Sequence, residues 1–340
     1  MNPNHRIIDT LTHIADSYRS QGVPYKYKAY RTAIDAIRSL GTQITDVSQI
    51  SSLPGIGKAM VDKVREILAT GALQQEKDVM SDPITQAIQT FTSIHGIGPV
   101  LAKKLVHENA LRTIDDLEAS SHLLPPQARL GLKYAKDTAL RVPYDEIEDH
   151  LTYLKKVVAK LVDPMLQICV CGSHRRGGAT SGDIDVLITH PSSSSDSGSE
   201  YVFLHVIVGV LRDVGYIIDV LAEGTSKFMG YSRLNPSLPV RRLDMRWMPY
   251  DVFFPALLYF TGSDMFNITM RVEALRRGYS LNEYGLYEIP GYEHLHHAPA
   301  KGAEGPPAGA AKGKRVFVDS EKAIFDLVGM TYVQPPQRSK

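Results

Sequence analysis

Asp183 and Asp185 stand two positions apart in Ser181-Gly182-Asp183-Ile184-Asp185-Val186-Leu187-Ile188. At the head of an extended strand, that spacing puts both carboxylates on one face and turns Ile184 and Val186 to the other, into a core. Adjacent carboxylates repel unless a cation lies between them, and hard oxygen ligands that leave room for substrate phosphates suit Mg2+. Upstream, Cys171-Gly172-Ser173-His174-Arg175-Arg176-Gly177 follows an apolar run. A serine hydroxyl, turn N–H groups and guanidinium groups together are the parts of a triphosphate cradle. A third carboxylate, Asp244, sits in the alternating segment Arg242-Leu243-Asp244-Met245-Arg246. If that segment pairs beside the Asp185 strand, three acids converge. They could then hold two metal ions roughly 3.5–4 Å apart for an in-line displacement at phosphorus. Alone, an Asp-x-Asp pair is also an ordinary strand start, and Asp244 could pair with Arg242 or Arg246; the cradle upstream is what favours chemistry.

The elements that must position these groups are legible in outline. Leu166 to Cys171, Ile184 to Thr189 and Arg241 to Met248 read as strands, with a helix near Val202 to Asp213 between the last two. The chain before about Asp145 reads as mostly helical. Within it Leu53-Pro54-Gly55-Ile56-Gly57-Lys58 is echoed by Ile94-His95-Gly96-Ile97-Gly98-Pro99. Each copy opens an amphipathic helix, the first with an apolar stripe of Val61, Val64, Ile67 and Leu68, the second with Val100, Leu101, Leu105 and Val106. Glycines let a backbone approach a ligand closely, and the helix start that follows offers free N–H groups to a phosphate. This is the helix-hairpin-helix pattern, which grips DNA backbones without reading bases. Pro191 to Gly198 reads as a Ser-rich loop, and 292–314, rich in Ala, Gly, Pro and Lys, as a flexible one.

Composition bounds the rest. A chain of 340 residues with 43% hydrophobic and 22% charged residues has the profile of two or three soluble globular domains. Its apolar runs are too short to span a bilayer. Met1 to Leu11 lacks the apolar centre of a secretory signal, and Asp9 and Asp16 speak against a mitochondrial presequence. Cys169 and Cys171 read as buried strand residues without a disulfide or metal role, which fits a reducing compartment. A net charge of +1 leaves any nucleic-acid contact to local arrangement.

Gly172-Ser173-His174-Arg175-Arg176-Gly177 followed by Ser181-Gly182-Asp183-Ile184-Asp185-Val186-Leu187-Ile188-Thr189-His190 resembles the nucleotidyltransferase core of the family X DNA polymerases. The similarity runs along nearly the whole chain and points to the beta type. It takes in Tyr30-Arg31, both hairpins, Gly131-Leu132-Lys133-Tyr134, Arg141-Val142-Pro143, Arg242-Leu243-Asp244, Tyr259-Phe260-Thr261-Gly262-Ser263-Asp264, Asn282-Glu283-Tyr284 and Val318-Asp319-Ser320-Glu321-Lys322. The fold implied is α+β and multidomain. A helical lyase domain (1–78) carries the first hairpin and a helical DNA-binding subdomain (79–140) the second. A catalytic palm (141–250) and a nucleotide-selecting subdomain (251–340) follow.

The resemblance implies a template-directed, gap-filling polymerase of base excision repair, with gapped or nicked DNA and deoxynucleoside triphosphates as substrates. Asp183 and Asp185 would hold two Mg2+ ions; Asp244 would bind one of them and help deprotonate the primer 3′-hydroxyl. Ser173, Arg176 and Gly182 would contact the β and γ phosphates, with Arg141 near the triphosphate. Tyr259, Phe260 and Gly262 would meet the sugar, Asp264 the incoming base. Asn267 and Arg271 would reach the minor groove, and Arg242 the primer phosphate. Closure of the last lobe would involve Arg246, Glu283 and Tyr284. Carbonyls of Ser51, Leu53 and Ile56, and of Thr92, Ile94 and Ile97, would each bind Na+ or K+ that meets a DNA phosphate beside Gly55, Gly57, Gly96 and Gly98.

Lys63, after the first hairpin, would remove a 5′-deoxyribose phosphate through a Schiff base, activated by positive charge from Lys26, Lys58 or Arg31, with Tyr25 and Tyr30 alongside. Ala59, Gln75 and Tyr25 depart from the family's basic pocket, which implies a working but less efficient lyase. Other implied features are a monomer, other base excision repair proteins as partners, and a nuclear location with the mitochondrion as alternative. The length leaves no room for a BRCT module, and no proofreading signature is visible, so low processivity is expected. Two readings compete: an untemplated nucleotidyltransferase, and a catalytically silent scaffold for DNA ends. The hairpins and the Tyr259 segment argue against the first, the complete acid triad against the second.

Overall fold

The computed structural model describes residues 2–53, 55–195, 200–290 and 313–338. The parts of the Ser-rich and 292–314 stretches at 196–199 and up to residue 312 lie outside them. The chain divides into two compact units, Met1–Ala135 and Lys136–Lys340.

The first unit is helical. Helices His5–Ser20 (α1), Pro24–Arg38 (α2), Lys58–Thr70 (α3) and Gln74–Ser81 (α4) enclose one core. In α1, Ile7, Leu11 and Ile14 recur at helical spacing and meet Ala33, Ile34 and Ile37 of α2 and Val64 and Ile67 of α3. Helices Pro83–Ser93 (α5), Pro99–His107 (α6), Ile114–Ala119 (α7) and Pro126–Lys133 (α8) build a second core around Phe91, Leu105, Leu117 and Leu132. Pro83 opens α5, and the Asp82 carboxylate caps it by accepting from the N–H groups of Ile84 and Thr85. The expected stripes need correction at one end each. Leu68 is 36% and Val100 85% exposed, because the phase of each helix turns Met60, Val64 and Ile67, or Ala102, Leu105 and Val106, inward instead.

The second unit opens with a turn of helix at Ala135–Thr138 (α9), whose first residue still belongs to the first unit. Next come Val142–Pro143 (β1), Tyr144–Leu161 (α10), Gln167–Val170 (β2), Gly172–Arg175 (α11), Thr180–Ser181 (β3), Ile184–Thr189 (β4) and Glu200–Asp213 (α12). Ile217–Glu223 (β5), Lys227–Ser232 (β6) and Arg241–Trp247 (β7) complete a sheet ordered β2-β4-β7-β6-β5. Only β4 and β7 run parallel within it. Ile184, Val186 and Ile188 pack on α10 and α12, while Leu187 joins Ala256 and Leu257 on the opposite face. Strands β5 and β6 escaped the sequence reading. Two register shifts break the alternation of β5, and Gly230 interrupts β6.

The C-terminal lobe consists of Phe253–Thr261 (α13), Asp264–Arg276 (α14), Tyr279–Asn282 (β8), Gly285–Glu288 (β9), Arg315–Val316 (β10) and Glu321–Leu327 (α15). Its three strands form an antiparallel sheet ordered β10-β9-β8. Leu258, Met270, Leu286, Ile324 and Phe325 fill its core.

Candidate active site and nucleic-acid interface

Parallel pairing of β4 with β7 sets Asp185 directly opposite Asp244. Asp183 lies just before β4 on the same face. One carboxylate oxygen from each of the three acids lies within 4.8 Å of the others. All three are partly buried, and the charge is poorly compensated. Arg242 Nη2 is 2.7 Å from Asp244 Oδ2 and 3.6 Å from Asp183 Oδ2. Among the described residues no side chain hydrogen-bonds the Asp185 carboxylate. Burial, and then the charges of Asp183 and Asp244, push Asp185 up to about 7. Asp183 is raised as well, mainly by burial, although Arg242 pulls against it. Three converging carboxylates, two of them raised by burial and by their neighbours' charge, are a donor set suited to hard divalent cations.

The cradle sits against this group. The Cys171 N–H donates to the Asp185 carbonyl at 2.9 Å, which brings the turn into α11 beside the acids. Gly172 has φ +59°, which favours glycine, and a Cβ there would lie 2.6 Å from Asp185 Oδ2 and press that carboxylate aside. Ser173 and Ser181 hydroxyls are 2.8 Å apart. Arg141 donates to the Thr180 hydroxyl and carbonyl, each at 2.7 Å, and lies over Gly182. Arg176 donates to the Thr261 carbonyl at 2.5 Å. Residues expected to hold phosphate therefore meet on one side of the acids, and Arg176 links them to the end of α13.

That end carries Tyr259, Phe260 and Gly262. Arg246 stacks over the Phe260 ring at 5.3 Å and Arg271 over Tyr259 at 5.2 Å. Arg271 also lies 3.8 Å from Glu283, and Asn267 donates to the Tyr259 carbonyl at 2.8 Å. Asp264 is exposed at the start of α14, and Tyr284 is exposed too. Sequence reading missed what holds this corner. Arg175 pairs bidentately with Glu321 at 2.7 and 3.1 Å and donates to Thr261 Oγ1. Fully buried Arg338 donates to Glu321 at 2.6 Å, and its carbonyl accepts from the Ser263 hydroxyl. Glu321 stood inside a matched motif, but no spacing signal connects it to Arg175.

In the first unit the two hairpins share one backbone. Gly55 and Gly96 have φ of +81° and +86°. Ile56 donates to the Leu53 carbonyl at 3.2 Å and Ile97 to the Ile94 carbonyl at 3.1 Å. Gly57 and Gly98, exposed and extended, cap α3 and α6, with open space where a Cβ would stand. Lys58 is exposed at the start of α3, and Ser51 and Thr92 flank their turns. The second turn is braced by α8: a Cβ on Gly131 would fall 2.1 Å from the His95 carbonyl oxygen.

Lys63 is half-buried on α3, and several residues expected beside it are engaged with other side chains. Lys26 lies 4.7 Å over the Tyr18 ring, and Arg31 is 3.9 Å from Asp35. Tyr25 is 70% exposed. Tyr30, expected at the DNA interface, is instead 6% exposed in the α1–α2 core, with its hydroxyl donating to Gln75 at 3.2 Å. Gln75 in turn donates to the Tyr18 hydroxyl at 3.0 Å. Burial, more than the neighbouring Tyr18, pushes Tyr30 up to about 12.

Comparison with known proteins matches four stretches of the chain. Residues 2–73 match a helix-hairpin-helix domain and 89–139 the fingers domain of DNA polymerase lambda. Residues 141–250 match the DNA polymerase beta palm and 256–339 the DNA polymerase beta thumb. DNA polymerase lambda of Arabidopsis thaliana is 31% identical over 346 residues, which cover 99% of this chain and 62% of the relative. DNA polymerase lambda of Rattus norvegicus is 34% identical over 343 residues, covering 99% and 56%. The chain thus spans little more than half the length of these relatives. Their name corrects the expectation of a beta type: the similarity points to lambda. No described helix is long and apolar enough to cross a membrane.

Proposed function

The chain is built from the domains of the family X DNA polymerases, and on that premise we propose that it is a lambda-like, template-directed polymerase that fills short gaps in DNA. The β4–β7 register carries the reading, because it sets three carboxylates together beside a cradle for phosphate. Asp183, Asp185 and Asp244 would hold two Mg2+ ions, which when bound neutralise charge on the attacking and leaving oxygens. Asp244 takes the proton of the primer 3′-hydroxyl. Arg242, now on Asp244, turns to the primer phosphate as the DNA end arrives. Ser173, Arg176, the Gly182 N–H and Arg141 hold the triphosphate. Tyr259 and Phe260 pack against the sugar, the Tyr259 backbone excludes a ribose 2′-hydroxyl, Gly262 lies in the same nucleotide site, Asp264 meets the base, and Asn267 and Arg271 face the minor groove.

Both hairpins grip phosphates through their glycine turns, aided by Na+ or K+ on the carbonyls of Ser51, Leu53, Ile56, Thr92, Ile94 and Ile97. Lys63 adds a 5′-deoxyribose phosphate lyase step through a Schiff base. The domain division at 78, 140 and 250, a monomeric state, repair-protein partners and a nuclear location belong to the same reading.

Single-nucleotide gap filling with Mg2+ tests the polymerase. Incorporation directed by the template is expected; extension that ignores the template would replace this reading with an untemplated transferase. Borohydride trapping on nicked abasic DNA tests the lyase. An adduct in wild type that disappears in Lys63→Ala is expected, and equal trapping in both would remove Lys63 from its role.

A further inference from the structure

Ser195, within the Ser-rich segment, and Arg315, just past 292–314, meet in one cluster that has no role in the polymerase reading. Ser195 is the last described residue of its segment, and Arg315 follows the other. Between them lies Asp251, one residue past the matched palm and before the matched thumb. Asp251 Oδ1 accepts from the Ser195 N–H at 3.0 Å, and Oδ2 accepts from the Ser195 hydroxyl at 2.6 Å. Arg315 donates to Asp251 Oδ2 and to Ser195 Oγ, each at 2.5 Å. Asp251 and Arg315 side chains are 15% and 29% exposed, well short of a solvated surface pair. Burial raises the Asp251 carboxyl, but the Ser195 hydrogen bonds and the Arg315 charge outweigh it and hold the group below the usual range.

The cluster joins three parts of the second unit: the segment after β4, the turn before α13, and β10 of the small sheet. Helix α13 is 9 residues long, so the tied start stands about 13 Å from the end that bears Tyr259, Phe260 and Gly262. That end is the one Arg176 and Arg246 contact.

We infer that Ser195, Asp251 and Arg315 form a tie between palm and thumb that positions α13 for the incoming nucleotide, an inference that rests on the polymerase reading. None of the three belongs to the acid triad or the phosphate cradle. They are positioning residues: with the start of α13 fixed, the nucleotide need not order the thumb as it binds. Freed of the tie, α13 samples more orientations, and nucleotide affinity falls while chemistry on the bound nucleotide is kept.

The test compares Arg315→Gln, Arg315→Lys and Ser195→Ala with wild type in steady-state gap filling. Arg315→Gln is expected to raise the nucleotide KM about 3- to 10-fold with kcat nearly unchanged. Arg315→Lys, which keeps the charge, recovers most of that, and Ser195→Ala gives a smaller rise. A KM that stays put or falls in Arg315→Gln, beside an active wild type, overturns the tie. Hydrogen exchange separates this from failure of the polymerase reading. Faster exchange across 253–262 in Arg315→Gln supports the tie even if wild type fills no gaps, and unchanged exchange removes it.

Discussion

The acid triad and the Lys63 pocket are built in opposite ways. The triad is fixed by backbone: a parallel strand register sets Asp185 against Asp244, and the left-handed turn at Gly172 closes on Asp185. The pocket that the resemblance implies for Lys63 would be fixed by side chains. Tyr18, Gln75 and Tyr30 form a hydrogen-bonded row, while Lys26 and Arg31 are engaged elsewhere. Register tolerates no partial version, because a slip of one residue turns every side chain to the other face. A side-chain pocket can be pared one residue at a time. On the lyase reading proposed above, Ala59 and Gln75 are the positions where such paring would show.

The strongest way to break this comparison is at the triad. Asp244→Ala should lower single-nucleotide incorporation by on the order of 10³-fold, as loss of a preorganised charged group does. It should change the melting temperature little without divalent metal, because relieved repulsion among the acids opposes the lost Arg242 pairing. A variant that retains activity, or that unfolds, would show that Asp244 is structural. Next in size is Glu321→Gln. It leaves the buried Arg338 guanidinium without its carboxylate, at a cost of about 3–5 kcal/mol in chemical denaturation. Burial alone would raise the Glu321 carboxyl, but Arg175 and Arg338 hold it below the usual range. A carboxyl depressed on folding stabilises above its unfolded pKa, about 4.3, and that gain is lost as pH falls through the folded value. The gap between wild type and Glu321→Gln should therefore narrow on acidification below about pH 4. A gap that is constant with pH would deny the pairing.

The hairpins sharpen the same contrast at lower cost. Gly131→Ala forces a methyl group onto the His95 carbonyl and should destabilise the first unit by about 1–3 kcal/mol. Gly98→Ala meets open space at an ordinary φ and should leave the melting temperature unchanged. If backbone approach to phosphate is what Gly98 provides, DNA affinity at fixed salt should still fall several-fold. Unchanged affinity would reduce the hairpin to a helix–helix turn.

What the sequence made legible follows from how far each signal reaches. Asp183 and Asp185 advertise a shared face through a spacing of two, and Gly55-Ile56-Gly57 and Gly96-Ile97-Gly98 advertise a repeated turn. Both are local patterns. That β7 lies beside β4 could only be stated as a condition, since β5 and β6 intervene in the chain and carry no clean alternation. The Arg175–Glu321–Arg338 cluster spans 146 positions between its first two members, and no periodicity encodes such a contact. Tyr30 failed for a different reason. An aromatic on an amphipathic helix suits a DNA surface or a core equally, and the packing of α1 on α2 decided for the core.

The smallest expected effect is the most direct test of the pared pocket. Gln75→Lys places a cation where the resemblance implies one and removes the acceptor to which the Tyr30 hydroxyl donates. These changes oppose each other. The added charge should favour a 5′-phosphate and the neutral form of a nearby lysine amine, since like charges disfavour protonation. The lost acceptor leaves the buried Tyr30 hydroxyl unsatisfied at a cost of about 1–3 kcal/mol. If charge limits the lyase, borohydride trapping should rise about two- to fivefold while the melting temperature falls. If the tyrosine row has taken over the work of positioning, trapping should fall with stability. The paring would then be a rebuilt site, and the contrast between backbone-fixed and side-chain-fixed centres would stand without any loss of function at the second.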